Sequence, residues 1–282
     1  FVSNFLIMKI IKNNIKTVIK EKFFYFIYIN SIFNMLYCLI YLLDLMNLCT
    51  YTRAYCSSLY GTYFAQYYKI IFVSFLSSVL KLSSNLTYLL ITINRYMMIG
   101  KEHIYFLKKI YNSSSIVLLF YNTFISILLN VTKLIEFRIN HDFSEYDYPF
   151  WITILPPSSN EYWNEFFFLS FIFYNLFNFL FYSIASVTLD VILIRKFNQT
   201  LKEKTNLKEK KKKKYLNSGI MMVITNVFVN VFIRLPDLFS ELMASIINLK
   251  GEAFLYICNN IIVCSKLKEI SNFFYLLSIS FN

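Results

Sequence analysis

Charge is scarce in this chain. Only 16% of its 282 residues are Asp, Glu, Lys or Arg, where soluble domains carry about 25%, and that deficit argues against a large water-soluble core. Histidine is nearly missing, with His103 and His141 alone, and the five cysteines show no CxxC or Cys/His spacing. No zinc site and no other metal or cofactor is therefore expected. Four glycines are few for the broken helices and small-residue seams common in transporters, and no internal repeat points to paired transporter halves. A Gly-rich phosphate loop, an HExxH helix and paired carboxylates with a histidine are all lacking, so nothing resembles an enzyme. No charged leader precedes an apolar core and a small-residue cleavage site. The chain opens on Phe1, and its beginning is read as cut rather than processed.

What the chain has is apolar length. It is 57% hydrophobic and 20% aromatic, with a mean hydropathy of +0.51. Phe, Ile, Tyr, Asn and Lys are all over-used, which fits AT-rich coding, so part of the Phe and Tyr excess is codon bias. A helix crossing a ~30 Å hydrocarbon core needs about 20 mostly apolar residues. Segments 23–47, 67–97, 114–132, 166–194 and 215–235 meet that length, the last being read as a helix over 215–240. Two shorter stretches, 1–11 and 270–282, stand at the chain ends and are read as parts of a first and a seventh helix. The expected fold is all-α: one domain, a seven-transmembrane helix bundle truncated in its first and seventh helices.

Charge in the loops orients it. Lys12, Lys16, Lys20 and Lys22 stand against Glu21, and Lys101, Lys108 and Lys109 against Glu102. The stretch 195–214 holds ten Lys/Arg against Glu203 and Glu209. On the other side, Lys133 and Arg138 face six acids: Glu136, Asp142, Glu145, Asp147, Glu161 and Glu165. The 49–66 loop has one cation, Arg53. Lys and Arg accumulate in short cytoplasmic loops, which predicts a multi-pass plasma-membrane protein with its amino terminus extracellular. The run Lys202–Lys214 supplies much of the net charge of +12. Alone it would suggest a nucleic-acid tail. Between two apolar segments it reads as a cytoplasmic loop lying against anionic lipid, with no nucleic-acid partner.

At the inner end of the third segment stands Thr92-Ile93-Asn94-Arg95-Tyr96, which resembles the Asp-Arg-Tyr motif of rhodopsin-like G-protein-coupled receptors, with Asn for Asp. Arg95 alone is also explained by snorkelling at a membrane boundary. Phe232-Ile233-Arg234-Leu235-Pro236 resembles that family's sixth-helix proline bend. Asn282 is set on the Asn of the family's Asn-Pro-x-x-Tyr motif, because the other register, with Ser271-Asn272-Phe273-Phe274-Tyr275 there, would drag Lys266, Lys268 and Glu269 into the membrane. Asn4-Phe5-Leu6-Ile7 is similar to the first-helix Asn, and Asn34 takes the place of the second-helix Asp that binds sodium in many members. The wording of helices two, six and seven is most similar to nematode serpentine receptors related to FMRFamide-type neuropeptide receptors.

The resemblance implies a receptor that binds an extracellular ligand, a neuropeptide or a chemosensory small molecule, and activates a heterotrimeric G protein. Asn94, Arg95, Tyr96, Pro236 and Asn282 would then serve coupling and activation. Departures are clear. Ile70 stands where the family has an outer Cys, and the second outer loop has none. Cys49–Cys56 or Cys258–Cys264 would replace that disulfide locally. Helix four lacks its Trp, helix five its Pro, and Arg234 holds the position of the switch Trp.

Charged and polar groups inside membrane helices usually face the bundle interior. Lys81 precedes Arg95 by fourteen residues, about 21 Å at 1.5 Å per residue, which is near mid-membrane. Lys81, Asp44 and Arg234 are read as lining a ligand cavity, either as pocket groups or as an ion pair. The alternative is a structural Asp–Lys pair with no ligand. Asn85 is placed in the same cavity, and with Asn34 forms either a relay toward Arg95 or interhelical glue. Trp151 and Trp163 flank Pro156-Pro157 in the acidic outer loop as interfacial anchors, and that loop would also attract a cationic peptide. The competing classes are a membrane transporter or channel, with Lys81 and Asp44 on a substrate or proton path, and a receptor fragment without activity.

Overall fold

The structure is a computed structural model that describes residues 2–13, 22–46, 62–99, 105–135, 137–138, 153–154, 169, 173–174 and 182–203. The described residues are nearly all helical. Helix α1 is Val2–Asn13 and α2 is Lys22–Leu45. A continuous helix follows in three parts: α3 (Tyr63–Tyr68), a π-helical stretch (Lys69–Leu76) and α4 (Ser77–Ile99). Then come α5 (Tyr105–Asn112), α6 (Ser115–Asn130) with a 3₁₀ turn at Val131–Leu134, and α7 (Tyr182–Glu203). Among the described residues three helices are long and apolar enough to cross a membrane: Lys22–Leu45, Tyr63–Met98 and Ser115–Leu134. The expected helices over 215–240 and 270–282 lie outside the described residues, as do Arg234, Pro236, Asn282 and Cys49, Cys56, Cys258 and Cys264.

Burial on these helices is inverted relative to a soluble protein. Helix α2 buries Phe26, Asn30, Ser31, Asn34, Tyr37 and Ile40, with Phe26, Asn30, Asn34, Tyr37 and Ile40 three to four apart on one stripe. Its opposite face exposes Leu36, Leu39, Leu42 and Leu43. Helix α6 repeats the pattern more sharply. Asn122, Ser126 and Asn130 are buried at intervals of four, while Ile116, Phe120, Tyr121, Phe124 and Leu128 are exposed. In water such faces would waste about 25 cal/mol for each Å² of apolar surface left wet. In hydrocarbon the apolar face is the solvated one, and the polar side chains must turn inward to find partners.

The long helix starts on Thr62, whose hydroxyl accepts a hydrogen bond from the Ala65 N–H at 3.3 Å and so satisfies one donor of the first turn. At 36 residues the span is ~54 Å long, well beyond the ~30 Å core. Its π-helical stretch is rich in β-branched residues (Ile70, Ile71, Val73), which crowd an ordinary α-turn. Two adjacent serines stand at the return to α geometry. The Ser77 hydroxyl donates to the Val73 carbonyl and the Ser78 hydroxyl to the Ser74 carbonyl at 2.7 Å, satisfying acceptors at the point where the helix changes pitch.

Two compact units divide the chain: residues 1–88 with 114–174, and residues 89–113 with 175–282. In the first, α1 packs along α2, α2 touches both the π-helical stretch and α6, and the π-helical stretch meets the 3₁₀ turn. A short antiparallel ladder pairs Phe137 with Ile154 and Arg138 with Thr153, a small departure from the all-helical expectation in the segment rich in β-branched residues, Ile152-Thr153-Ile154. In the second unit α5 occupies the stretch read from sequence as the second inner loop. Helix α7 continues nine residues past the expected end at 194, to Glu203.

Candidate functional site

In the first unit the buried polar residues form a network rather than scattered glue. The Ser84 hydroxyl on α4 lies 2.8 Å from Asn30 Oδ1 and 2.7 Å from Asn34 Oδ1 on α2. One hydroxyl carries one proton, so it donates to a single amide oxygen. The second contact is made good when the other amide presents its NH₂ edge to the serine oxygen. Beside Ser84 on α4, Asn122 Nδ2 of α6 donates to the Ser83 carbonyl at 3.0 Å and to the Thr87 hydroxyl at 2.8 Å. Thr87 in turn donates to the Ser83 carbonyl at 2.7 Å. Along α6 the Ser126 hydroxyl donates to the Asn122 carbonyl at 2.9 Å, and Asn130 Nδ2 to the Ser126 carbonyl at 2.8 Å. Three side-chain oxygens in this region, Ser83 Oγ, Asn122 Oδ1 and Asn130 Oδ1, have no hydrogen-bond partner among the described residues. Buried polar oxygens of this kind are ordinarily served by internal water.

Nearer the π-helical stretch, Lys133 of the 3₁₀ turn reaches inward. Its Nζ donates to Ser78 Oγ at 2.7 Å and sits 4.2 Å from the centroid of the Tyr174 ring, a cation–π arrangement. The Tyr68 hydroxyl donates to the Ile40 carbonyl at 2.8 Å, its ring stacks on Phe72, and Asp44 lies within its electrostatic reach. Lys81 and Asn85 are both buried on α4, at 5% and 2% exposure, whereas Asp44 is half-buried. Asn34 therefore has Ser84 as a partner, the neighbour of the residue the sequence reading chose.

In the second unit the Asn94-Arg95-Tyr96 stretch occupies the last turns of α4. Asn94 and Tyr96 are each 2% exposed, and Arg95 is half-buried. Asn94 Nδ2 donates to the Leu90 carbonyl at 2.8 Å, so its amide is folded back onto its own helix. An acid on α7, Asp190, is 2% exposed and lies within electrostatic reach of Arg95. Its Oδ2 has no hydrogen-bond partner among the described residues, nor has the hydroxyl of Ser186 one turn earlier.

No family model and no curated protein matches this chain.

Several residues of these clusters escape a reading of single motifs. Asp190 had a signal, being the sole acid between Glu165 and Glu203 and lying inside an apolar helix. Asn122, Ser126 and Asn130 had one too, a polar period of four in an apolar segment. Ser84 and Lys133 had none, because a serine is neutral to membrane insertion and a lysine at a helix end reads as a loop charge. Cys38 is a free thiol, and among the described residues no three His, Cys, Asp or Glu side chains gather as a metal site would require.

Proposed function

We propose that this chain is a plasma-membrane receptor of the seven-helix, G-protein-coupled kind, in which an extracellular ligand shifts the balance between two helix packings. The observation that carries the reading is the Arg95 arrangement. An arginine sits in the last turns of a membrane-length helix, between buried Asn94 and Tyr96, and lies within electrostatic reach of a buried acid of another helix. A buried carboxylate is costly and its attraction to a nearby arginine is a weak stabiliser, and we read the arrangement as a switch. In this reading, ligand contacts around Lys81, Asn85, Lys133 and Asp44 favour a packing in which Arg95 leaves Asp190. Arg95 and Tyr96 then meet a heterotrimeric G protein. The lysine-rich sequence after α7 would be attracted to anionic lipid.

The test is expression in cells carrying promiscuous G proteins, with amidated peptides and small molecules screened for calcium release. A response that Arg95→Ala abolishes, with surface expression intact, supports the reading. Surface-expressed protein silent across both libraries counts against it.

A second reading is a transporter or channel, favoured by the buried oxygens Ser83 Oγ, Asn122 Oδ1 and Asn130 Oδ1, which would line a hydrated path between α4 and α6. Ion or solute flux in proteoliposomes, lost in Asn122→Leu, would favour it over the receptor.

A further inference from the structure

Helix α5 divides its eight residues into two arcs. At 100° per residue, Phe106, Leu107, Ile110 and Tyr111 fall on one side, and Tyr105, Lys108, Lys109 and Asn112 on the other. None of the eight is buried: Phe106 is 66% exposed, both lysines are exposed, and Leu107, Ile110 and Tyr111 are half-buried. The outermost group of the apolar arc, Phe106, suits an apolar environment better than water.

Position supplies one. Only Ser113 and Ser114 separate α5 from the apolar span Ser115–Leu134, so its carboxyl end stays within ~11 Å of that span's first residue. The headgroup layer on each side of the hydrocarbon is itself ~5–8 Å thick. The Ser113 N–H donates to both the Lys109 and Ile110 carbonyls, and its hydroxyl to the Lys109 carbonyl at 2.8 Å, closing the helix where the chain re-enters the span. A short helix held at that depth, with aromatic and aliphatic groups on one arc and lysines on the other, has the form of an interfacial helix.

We propose that α5 lies in the membrane interface, with Phe106, Leu107, Ile110 and Tyr111 set into the headgroup–acyl boundary and Lys108 and Lys109 on anionic lipid headgroups. The proposal rests on the reading that Tyr63–Met98 and Ser115–Leu134 cross the bilayer. Lysine heads at that height meet phosphate and carboxylate groups, and their stems cover apolar surface on the way. The occupant is lipid rather than a protein groove because the helix is tethered at the surface whatever else binds.

The experiment uses the whole chain with Trp151→Phe and Trp163→Phe, reconstituted in phosphatidylcholine vesicles with and without phosphatidylserine. In that background a single tryptophan is introduced at one of two places. Phe106→Trp reports α5, and Phe124→Trp, at an exposed mid-helix position of α6, reports the hydrocarbon. Lipids brominated near the carbonyl end of the acyl chain should quench the Phe106→Trp chain strongly, and its emission should be blue-shifted. Lipids brominated near the methyl end should quench the Phe124→Trp chain more. Lys108→Gln with Lys109→Gln should remove the gain in α5 quenching that phosphatidylserine brings. An unquenched, red-emitting Phe106→Trp chain beside a quenched Phe124→Trp chain overturns the proposal while leaving the membrane spans standing. If neither chain is quenched, the spans fail and the proposal with them. Phosphatidylserine dependence that survives loss of both lysines overturns the headgroup contact.

Discussion

Ser84 Oγ stands 2.7 Å from Asn34 Oδ1, tying α4 to α2 through a hydroxyl and an amide, while the opposite face of α2 exposes Leu36, Leu39, Leu42 and Leu43. Polar pairs of this kind are modest in membranes, about 0.6 kcal/mol on average and up to ~1.7. This one also takes in Asn30, so Ser84→Ala leaves two buried amides short of a partner. A loss of roughly 1–2 kcal/mol is expected, read as a lowered midpoint of thermal unfolding in detergent. The double variant with Asn34→Ala should lose less than the sum of the single changes, and strict additivity would show that the two side chains do not act together.

Asn122 donates from Nδ2 to two acceptors on α4, the Ser83 carbonyl and the Thr87 hydroxyl. Asn122→Leu keeps the size but loses both bonds, and about 1–3 kcal/mol of stability should go with them. Asn122→Asp should be worse, because an ionised carboxylate would face the Ser83 carbonyl oxygen with no proton to give. If the Asp variant proves the more stable of the two, the donor role assigned to Nδ2 is wrong.

Asp190 of α7 lies within electrostatic reach of Arg95 in the second unit. Asp190→Asn removes the charge and keeps the shape, so Arg95 spends more time free of α7. On the proposed receptor function, basal G-protein signalling should rise by about 5-fold or more, the range of a coupling energy near 1 kcal/mol. The added Arg95→Ala should return it to background. Unchanged basal signalling in Asp190→Asn, at equal surface expression, would remove the pair from the switch.

Lys133 combines a hydrogen bond to Ser78 with a position over the Tyr174 ring. Lys133→Arg keeps both kinds of contact, whereas Lys133→Met keeps only the apolar stem. A difference between them of about 0.5–2 kcal/mol in thermal unfolding is expected. Tyr174→Leu should erase most of that difference. Equal stability of the Arg and Met variants would mean the stem alone matters.

Legibility in the sequence varied by element. The spans at Lys22–Leu45 and Ser115–Leu134 are visible because an unbroken apolar run of about 20 residues has few homes other than a bilayer. Helix α5 was hidden, since eight residues with two lysines read as a loop unless their angular separation is worked out. The π-helical turn at Lys69–Leu76 was hidden too, because β-branched residues weaken an α-turn without specifying what replaces it. The choice of Lys81, Asp44 and Asn85 picked out polar groups by type and depth. Arg234, the fourth of that set, lies outside the described residues.

The sequence by itself determined that several segments are long and apolar enough to cross a bilayer, because transfer free energy is a sum over residues and needs no neighbours. It also determined where Asn94-Arg95-Tyr96 falls, at the end of one of those segments. Only the tertiary structure decided that Ser84 joins Asn34, that Asn122 serves Ser83 and Thr87, that Lys133 turns inward, and that Asp190 lies within electrostatic reach of Arg95. Hydrogen bonds and ion pairs are directional and reach only a few ångströms, so their partners are set by which helices lie side by side and by how each is rotated about its axis.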